Sequence, residues 1–179
     1  MSSPDLTRRL CLGALALGAA LATSGCLRPL YGPTASGERL DTVLAAIEVD
    51  AITTNVGQER FGHYLRSELI FDLDGSGTKP PKRYRLALAA TRSLQTPIVD
   101  TTSGRADSAI LTAQVTYTLT TITGGQVVAQ GVATGSASYD RNPQRFATIR
   151  AARDADIRLA KLVSEQIRTR LAARLATGV

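Results

Sequence analysis

The sequence predicts an α+β fold: a two-layer sandwich whose four-stranded, mostly antiparallel sheet carries two helices on one face, in the order β-α-β-β-β-α. Three observations predict it. Apolar and polar residues alternate around 47–51, 83–90, 112–120 and 127–138, the two-residue period of a half-buried strand. Residues 58–73 and 144–176 instead repeat apolar residues at helical spacing. Gly, Pro, Asn and Asp punctuate the joins between these stretches.

The elements follow in order. Residues 28–40 carry Pro29, Gly32, Pro33 and Gly37 and read as an extended tether. From Ile47, the residues Ile47, Val49 and Ala51 alternate with Glu48 and Asp50, which makes a first strand. Phe61, Leu65, Leu69 and Leu73 recur every four residues, with Tyr64 beside them. They form the apolar stripe of a helix whose charged Glu59, Arg60, Arg66 and Asp72 lie off it, while Glu68 borders it. That helix stops at Asp74-Gly75-Ser76-Gly77, and Pro80-Pro81 forbids its resumption.

Tyr84, Leu86, Leu88 and Ala90 then alternate with Arg83, Arg85, Ala87 and Ala89 in a second strand. Residues 93–107, with Pro97 and Gly104, read as a long loop. The third strand alternates most cleanly: Ala113, Val115, Tyr117 and Leu119 against Thr112, Gln114, Thr116, Thr118 and Thr120. Gly124-Gly125 signals a hairpin, and 127–138 returns as a fourth strand rich in small residues. Asn142 as cap and Pro143 in the first helical position begin the last helix, about 50 Å long at 1.5 Å per residue. Ile149, Ala152, Ala160, Val163, Ile167 and Leu171 form its inward stripe. Arg150–Asp154, Asp154–Arg158 and Lys161–Glu165 are its i,i+4 ion pairs. The sheet's second face, lined by Thr and Gln, is left to meet water or a polar partner.

The amino terminus reads as an address. Arg8 and Arg9 precede an apolar run at 10–22, too short to span a bilayer and of the length of a signal-peptide core. Thr23-Ser24-Gly25-Cys26 follows and resembles the bacterial lipobox, with Thr23 where Leu is usual. The signal is then cut before Cys26, whose thiol carries covalent acyl chains, palmitate among them. A secreted chain with a free Cys26 is the plainer alternative. Thr7-Arg8-Arg9-Leu10 also partly resembles a twin-Arg export signal, so the general and twin-Arg routes both stay open.

This divides the chain into a signal peptide at 1–25, a lipid-anchored tether at 26–45 and one periplasmic domain at 46–179. The whole chain has 179 residues and a formal net charge of +6. Removal of 1–25 takes Arg8, Arg9 and Asp5 and leaves 19 basic against 14 acidic residues, a net of +5. Cys11 leaves with the signal, so no thiol remains for catalysis or a disulfide. Acyl chains contribute about 0.8 kcal/mol per buried CH₂, enough for a durable anchor. Leu27 is not the Asp that retains lipoproteins in the inner membrane of enteric bacteria, so the expected location is the periplasmic face of the outer membrane.

Catalytic and metal chemistry finds little footing. The chain has two Cys and one His, which leaves no Cys/His zinc set. Asp72–Gly77 matches the first half of a calcium loop, but Arg83 stands where the bidentate Glu belongs, and a polar helix stop is the better reading. His63 has neither a nucleophile elbow nor a phosphate loop to serve and reads as structural. We therefore expect no enzyme, no metal and no cofactor beyond the acyl chains on Cys26.

The charge excess has two parts. Arg141, Arg145, Arg150, Arg153, Arg158, Arg168, Arg170 and Arg174 decorate the last helix, most simply as a solvated face. Lys79, Lys82, Arg83, Arg85, Arg92 and Arg105 gather around the second strand and its loops. Arg suits bidentate contact with phosphate, though a generic soluble surface explains this set equally well. Nucleic acid is not the expected partner, because stacking aromatics are scarce, at 4% of residues, and the signal leads out of the cytoplasm.

Cys26-Leu27-Arg28-Pro29-Leu30-Tyr31-Gly32 resembles the Cys-Gly-Phe-Arg-Pro-Leu-Tyr-Gly start of the LPS-assembly lipoprotein family, LptE, in its alphaproteobacterial form; Leu27 replaces Gly-Phe. Phe61-Gly62-His63-Tyr64-Leu65-Arg66-Ser67-Glu68-Leu69 is similar to the family's first helix, and Tyr84-Arg85-Leu86 to the strand after it. Phe146-Ala147-Thr148 and Ile167-Arg168-Thr169-Arg170-Leu171 are similar to its closing helix. The resemblance implies an anchored periplasmic α+β domain that plugs the lumen of an LptD-type outer-membrane β-barrel. It also implies binding of lipopolysaccharide during delivery to the cell surface. Independently of the family, the charge argument assigns lipopolysaccharide contacts to Arg83, Arg85, Arg92 and Arg105. An auxiliary lipoprotein of a phospholipid or ABC-type transport system is the rival reading, since it shares the signal, the anchor and the α+β plan.

Overall fold

In the computed structural model the described residues are 32, 34, 37–75, 77, 79–97 and 107–177. The lipobox, Cys26 and Arg105 lie outside them. The fold is the predicted α+β sandwich. Its elements are α1 (Leu40–Ala45), β1 (Ile47–Val49), β2 (Thr53–Thr54), α2 (Glu59–Asp74), β3 (Tyr84–Gln95), β4 (Ser108–Thr121), β5 (Val127–Asp140) and α3 (Arg145–Thr177).

The sheet runs β1-β3-β4-β5, with β2 also on β3. β3, β4 and β5 form a long antiparallel meander in which Leu86 stands opposite Leu119 and Val115 opposite Ala133. β1 and β2 pair with β3 in parallel, Val49 against Leu86 and Thr53 against Ala89. The parallel sense follows from α2, which returns the chain to the starting end of the sheet before β3 begins. The strand count is therefore five, not four, because the first strand is interrupted after Val49 and resumes at Thr53.

The alternation in sequence becomes two unlike faces. Leu86, Leu88, Ala90, Leu111, Ala113, Val115, Tyr117 and Leu119 are buried on one of them. α2 covers that face with Phe61, Leu65, Leu69 and Leu73, and α3 with Leu159, Val163, Ile167 and Leu171. The helices also join each other directly: Ser164 Oγ, fully buried on α3, donates to Asp72 Oδ2 at 2.6 Å. α3 approaches β5 so closely that a Cβ added at Gly135 would lie 2.6 Å from Leu162 Cδ2 and 3.1 Å from Leu159 Cδ1.

Local signals place the turns. Gly124 and Gly125 both have positive φ, at 95° and 64°, within the five-residue connection from β4 to β5, where the Gly125 N–H donates to Thr121 O at 3.1 Å. Asn142 Oδ1 accepts the Gln144 N–H at 2.9 Å and the Thr148 hydroxyl donates to Asn142 O, so Asn142 braces the entry to α3. The helix opens at Arg145, later than Asn142 as cap and Pro143 as first helical residue would place it.

Four expectations shift. The segment read as tether ends in a helix: Leu40, Val43, Leu44 and Ala45 are buried in α1, at spacings that put them on one side. Strand β3 continues through Ser93, Leu94 and Gln95, residues read as the start of a loop. Ile149 is exposed, because α3 meets the sheet fully only from Ala155 onward. Of the three expected ion pairs on α3, Arg158–Asp154 forms at 2.8 Å. Arg150 instead lies over the Phe146 ring at 5.7 Å, and Lys161 and Glu165 face solvent.

Candidate functional site

The sheet face without helices carries rows of hydroxyl and amide side chains. Strand parity builds it: the register sets Ser93, Thr112 and Ser136 in one row and Thr91, Gln114 and Thr134 in the next. The Ser93 and Thr112 hydroxyls share a hydrogen bond of 2.5 Å. These six side chains line a shallow depression of about 650 Å³. Toward the other end come Thr116, Thr118 and Thr120 of β4, with Arg85 paired to Thr120. Hydroxyl and amide groups both donate and accept, so this face matches polar surfaces of either sense.

The four arginines proposed from charge do not form one cluster. Arg83 sits at the foot of β3 and binds Glu38 through both nitrogens, at 3.1 and 2.8 Å. Its guanidinium also lies 5.9 Å from the centre of the Tyr84 ring. Arg85, two residues on, reaches Glu48 at 3.6 Å and Asp50 at 3.7 Å. Its side chain is 53% exposed, so it keeps donors for another anion.

Arg92 lies at the far end of β3, seven residues on, about 23 Å away along a strand. It shares the parity of Leu88 and Ala90 and faces the helices, where it binds Asp156 of α3 at 2.6 Å. Asp156 is only 8% exposed. Gln58 fixes the same point by donating to Arg92 O and accepting from Arg92 N, both at 2.7 Å. Arg92 therefore ties the sheet to α3 and to the start of α2. Arg105 is outside the described residues.

The other candidates resolve simply. Asp72 is held by Ser164, and Asp74 pairs with Lys82 at 3.1 Å, so both carboxylates of the half calcium loop are engaged in packing. Lys82 also donates to Ala45 O at 2.6 Å and so ties α1 to the end of α2. His63 is exposed beside Tyr64, whose hydroxyl accepts from Arg153 Nε at 2.9 Å. Among the described residues no group of three or more His, Cys, Asp or Glu side chains could hold a metal ion, and no helix is long and apolar enough to cross a membrane. The shifted carboxyl groups belong to helix starts: Asp41 is held below its usual value by its bond from Arg39, and Glu59 by bonds from its own backbone N–H and from that of Gly57.

The sequence reading missed one surface. Phe146, Ile149 and Ile157 are exposed along the first turns of α3, with Arg150 and Arg153 among them, around a depression of about 730 Å³. Helical spacing had assigned Ile149 to the core. Phe146, three residues before Ile149, continues the same stripe by helical spacing, so no local signal separated this surface from the core.

The family model described as LptE, lipopolysaccharide-assembly, matches residues 44–171. A crystal structure from Caulobacter crescentus CB15, described as a lipoprotein, superposes with a TM-score of 0.60 at 27% identity, covering 76% of this chain and 96% of that one. A minor lipoprotein from Acinetobacter baumannii gives a TM-score of 0.45 at 14% identity, over 72% of this chain and 96% of its own. Rare lipoprotein B from Shewanella oneidensis gives 0.43 at 12% identity, over 69% and 96%. No curated protein matches the chain.

Proposed function

The chain belongs to the LptE family of lipopolysaccharide-assembly proteins, and from that premise we propose that it plugs an LptD-type outer-membrane β-barrel and binds lipopolysaccharide on its way to the cell surface. The family's work is lipopolysaccharide assembly and is not enzymatic. The observation that carries the finer reading is the bare hydroxyl and amide face of the sheet. The lumen of a large barrel is polar and wet, and rows of Ser, Thr and Gln from β3, β4 and β5 complement it. Acylation of Cys26 holds the domain at the periplasmic face of the outer membrane in this reading. An auxiliary role in a phospholipid or ABC-type transport system shares the anchor, but the family match favours lipopolysaccharide assembly.

Lipopolysaccharide phosphates are contacted in this proposal by Arg83 and Arg85, which stand two residues apart and half exposed at the foot of β3. Arg105 joins them on charge alone. Arg92 was grouped with them from sequence, but its guanidinium is engaged with Asp156, and its first role is to hold the sheet to α3. The test is lipopolysaccharide binding by the full chain with Arg83, Arg85 and Arg105 replaced by Ser. Binding is expected to weaken about tenfold or more, as the loss of charge-assisted contacts of roughly 1.5–3 kcal/mol each implies, while barrel association persists. Unchanged binding would remove these arginines from the proposal.

A further inference from the structure

The lateral edges of a sheet present unpaired N–H and C=O groups and invite another strand to pair. Here β5 forms one edge, 14 residues long, with β4 on one side and no described strand on the other. It lacks the usual defences. Residues 127–139 contain no charged side chain and no Pro, Val127 and Val132 are exposed on it, and its one irregular pairing lies near its start, where Leu119 gives way to Thr120 opposite.

The defence comes from α3. Arg158 Nη2 donates to Ser138 O at 2.9 Å. The Thr134 N–H donates to Gln166 Oε1 at 3.0 Å. Arg170 Nη1 donates to Val132 O, and Arg174 Nε donates to Val128 O at 3.1 Å. Ser138, Thr134 and Val132 share the parity whose backbone groups point away from β4, since alternate residues of an antiparallel pair face outward, and Val128 is the extra residue at the irregular pairing opposite Leu119 and Thr120. The four helix residues are spaced by multiples of four, with Leu162 at the remaining step, packed against Gly135. Four helical residues rise about 6 Å and two strand residues about 6.8 Å, so Arg158, Gln166 and Arg170 stay nearly in step with Ser138, Thr134 and Val132. The last rung steps four strand residues, to Val128, and the long Arg174 side chain spans the difference. At the opposite edge α2 does the same on a smaller scale: Arg66 donates to Val49 O at 3.1 Å and to Asp50 O at 3.3 Å.

We infer that the Arg158–Gln166–Arg170–Arg174 ladder keeps the β5 edge closed to strand addition, and that the partner it excludes is a second copy of this chain. A strand that is long, uncharged and free along one side is its own best partner, because antiparallel pairing of β5 with β5 about a twofold axis satisfies both edges with one surface. Each ladder bond is exposed and individually weak, so the ladder controls access to the edge more than it holds the fold together. The positive charges on α3 that read as a solvated face thus include three that serve as backbone caps.

The test compares two variants of the full chain. One carries Arg158→Ala, Gln166→Ala, Arg170→Ala and Arg174→Ala. The other carries Arg145→Ala, Arg150→Ala and Lys161→Ala, which removes an equal number of positive charges, three, without touching β5. Sedimentation over a concentration series reads self-association. The ladder variant is expected to pair at a concentration at least about tenfold lower than the unaltered chain, equivalent to 1.4 kcal/mol, while the control behaves as the unaltered chain does. Equal behaviour of the two variants, associated or not, overturns the inference. Adding Val132→Lys, a charge on the edge strand itself, is expected to return the ladder variant to monomer; persistent association would place the contact elsewhere. Should the ladder variant fail to fold, hydrogen exchange decides. The Thr134 amide is expected to exchange about tenfold more slowly in the unaltered chain than in Gln166→Leu, and equal rates would show that the ladder does not hold the edge.

Discussion

The two faces of the sheet come from the same three strands and have opposite natures. One is Leu, Val and Ala, sealed under α2 and α3; the other is Ser, Thr and Gln, with no helix over it. A two-residue period separates them, so each strand writes its folding instructions on one parity and its surface chemistry on the other. Changes on the first face should be read in stability, and changes on the second in what the protein binds.

The largest expected effect is on the covered face. Leu159→Ala removes a fully buried side chain between α3 and β5 and should cost about 2–5 kcal/mol in a urea titration. Gly135→Val overpacks the same seam, where even a Cβ would lie 2.6 Å from Leu162. We expect a loss of roughly 1–3 kcal/mol by the same titration, and a smaller loss would mean that α3 can slide along the sheet. Asp156→Ala leaves Arg92 without its partner at 2.6 Å and should cost about 1–3 kcal/mol. Arg92→Met, which removes the charge and keeps the volume, should cost less than Asp156→Ala. On the bare face the expectation reverses. Thr116→Ala with Thr118→Ala should change stability by about 0.5 kcal/mol or less and yet lower recovery of the proposed barrel partner. A large stability loss there would erase the distinction between the faces.

The faces were legible in the sequence because Thr112–Thr120 alternates apolar with Thr and Gln, and because Leu86 and Leu88 mark the inward parity of the second strand even though Ala87 and Ala89 sit beside Arg85 on the outward one. Arg92 was legible too, but only by parity. It follows Leu86, Leu88 and Ala90 at steps of two, so it had to face the helices; grouping it by charge with Arg83 and Arg85 hid that. The parallel pairing of β1 and β2 was not readable, because pairing joins residues about 37 positions apart and no local period reports it. Helix α1 was hidden by its length: six residues beside Pro- and Gly-rich sequence give too little period to see. Ile149 shows the remaining limit, since helical spacing marks a stripe and does not show where the sheet beneath it ends. The ladder had a sequence signal in the spacing of Arg158, Gln166, Arg170 and Arg174, but its meaning depends on knowing that β5 is an edge.

The central claim is that this fold belongs inside a barrel. It is tested most directly by capturing the detergent-solubilised full chain from its own membranes and identifying, by mass, what comes with it. One large outer-membrane β-barrel protein is expected in equal amount. Recovery of the chain alone as a stable monomer, or together with an inner-membrane ATPase complex, would contradict it.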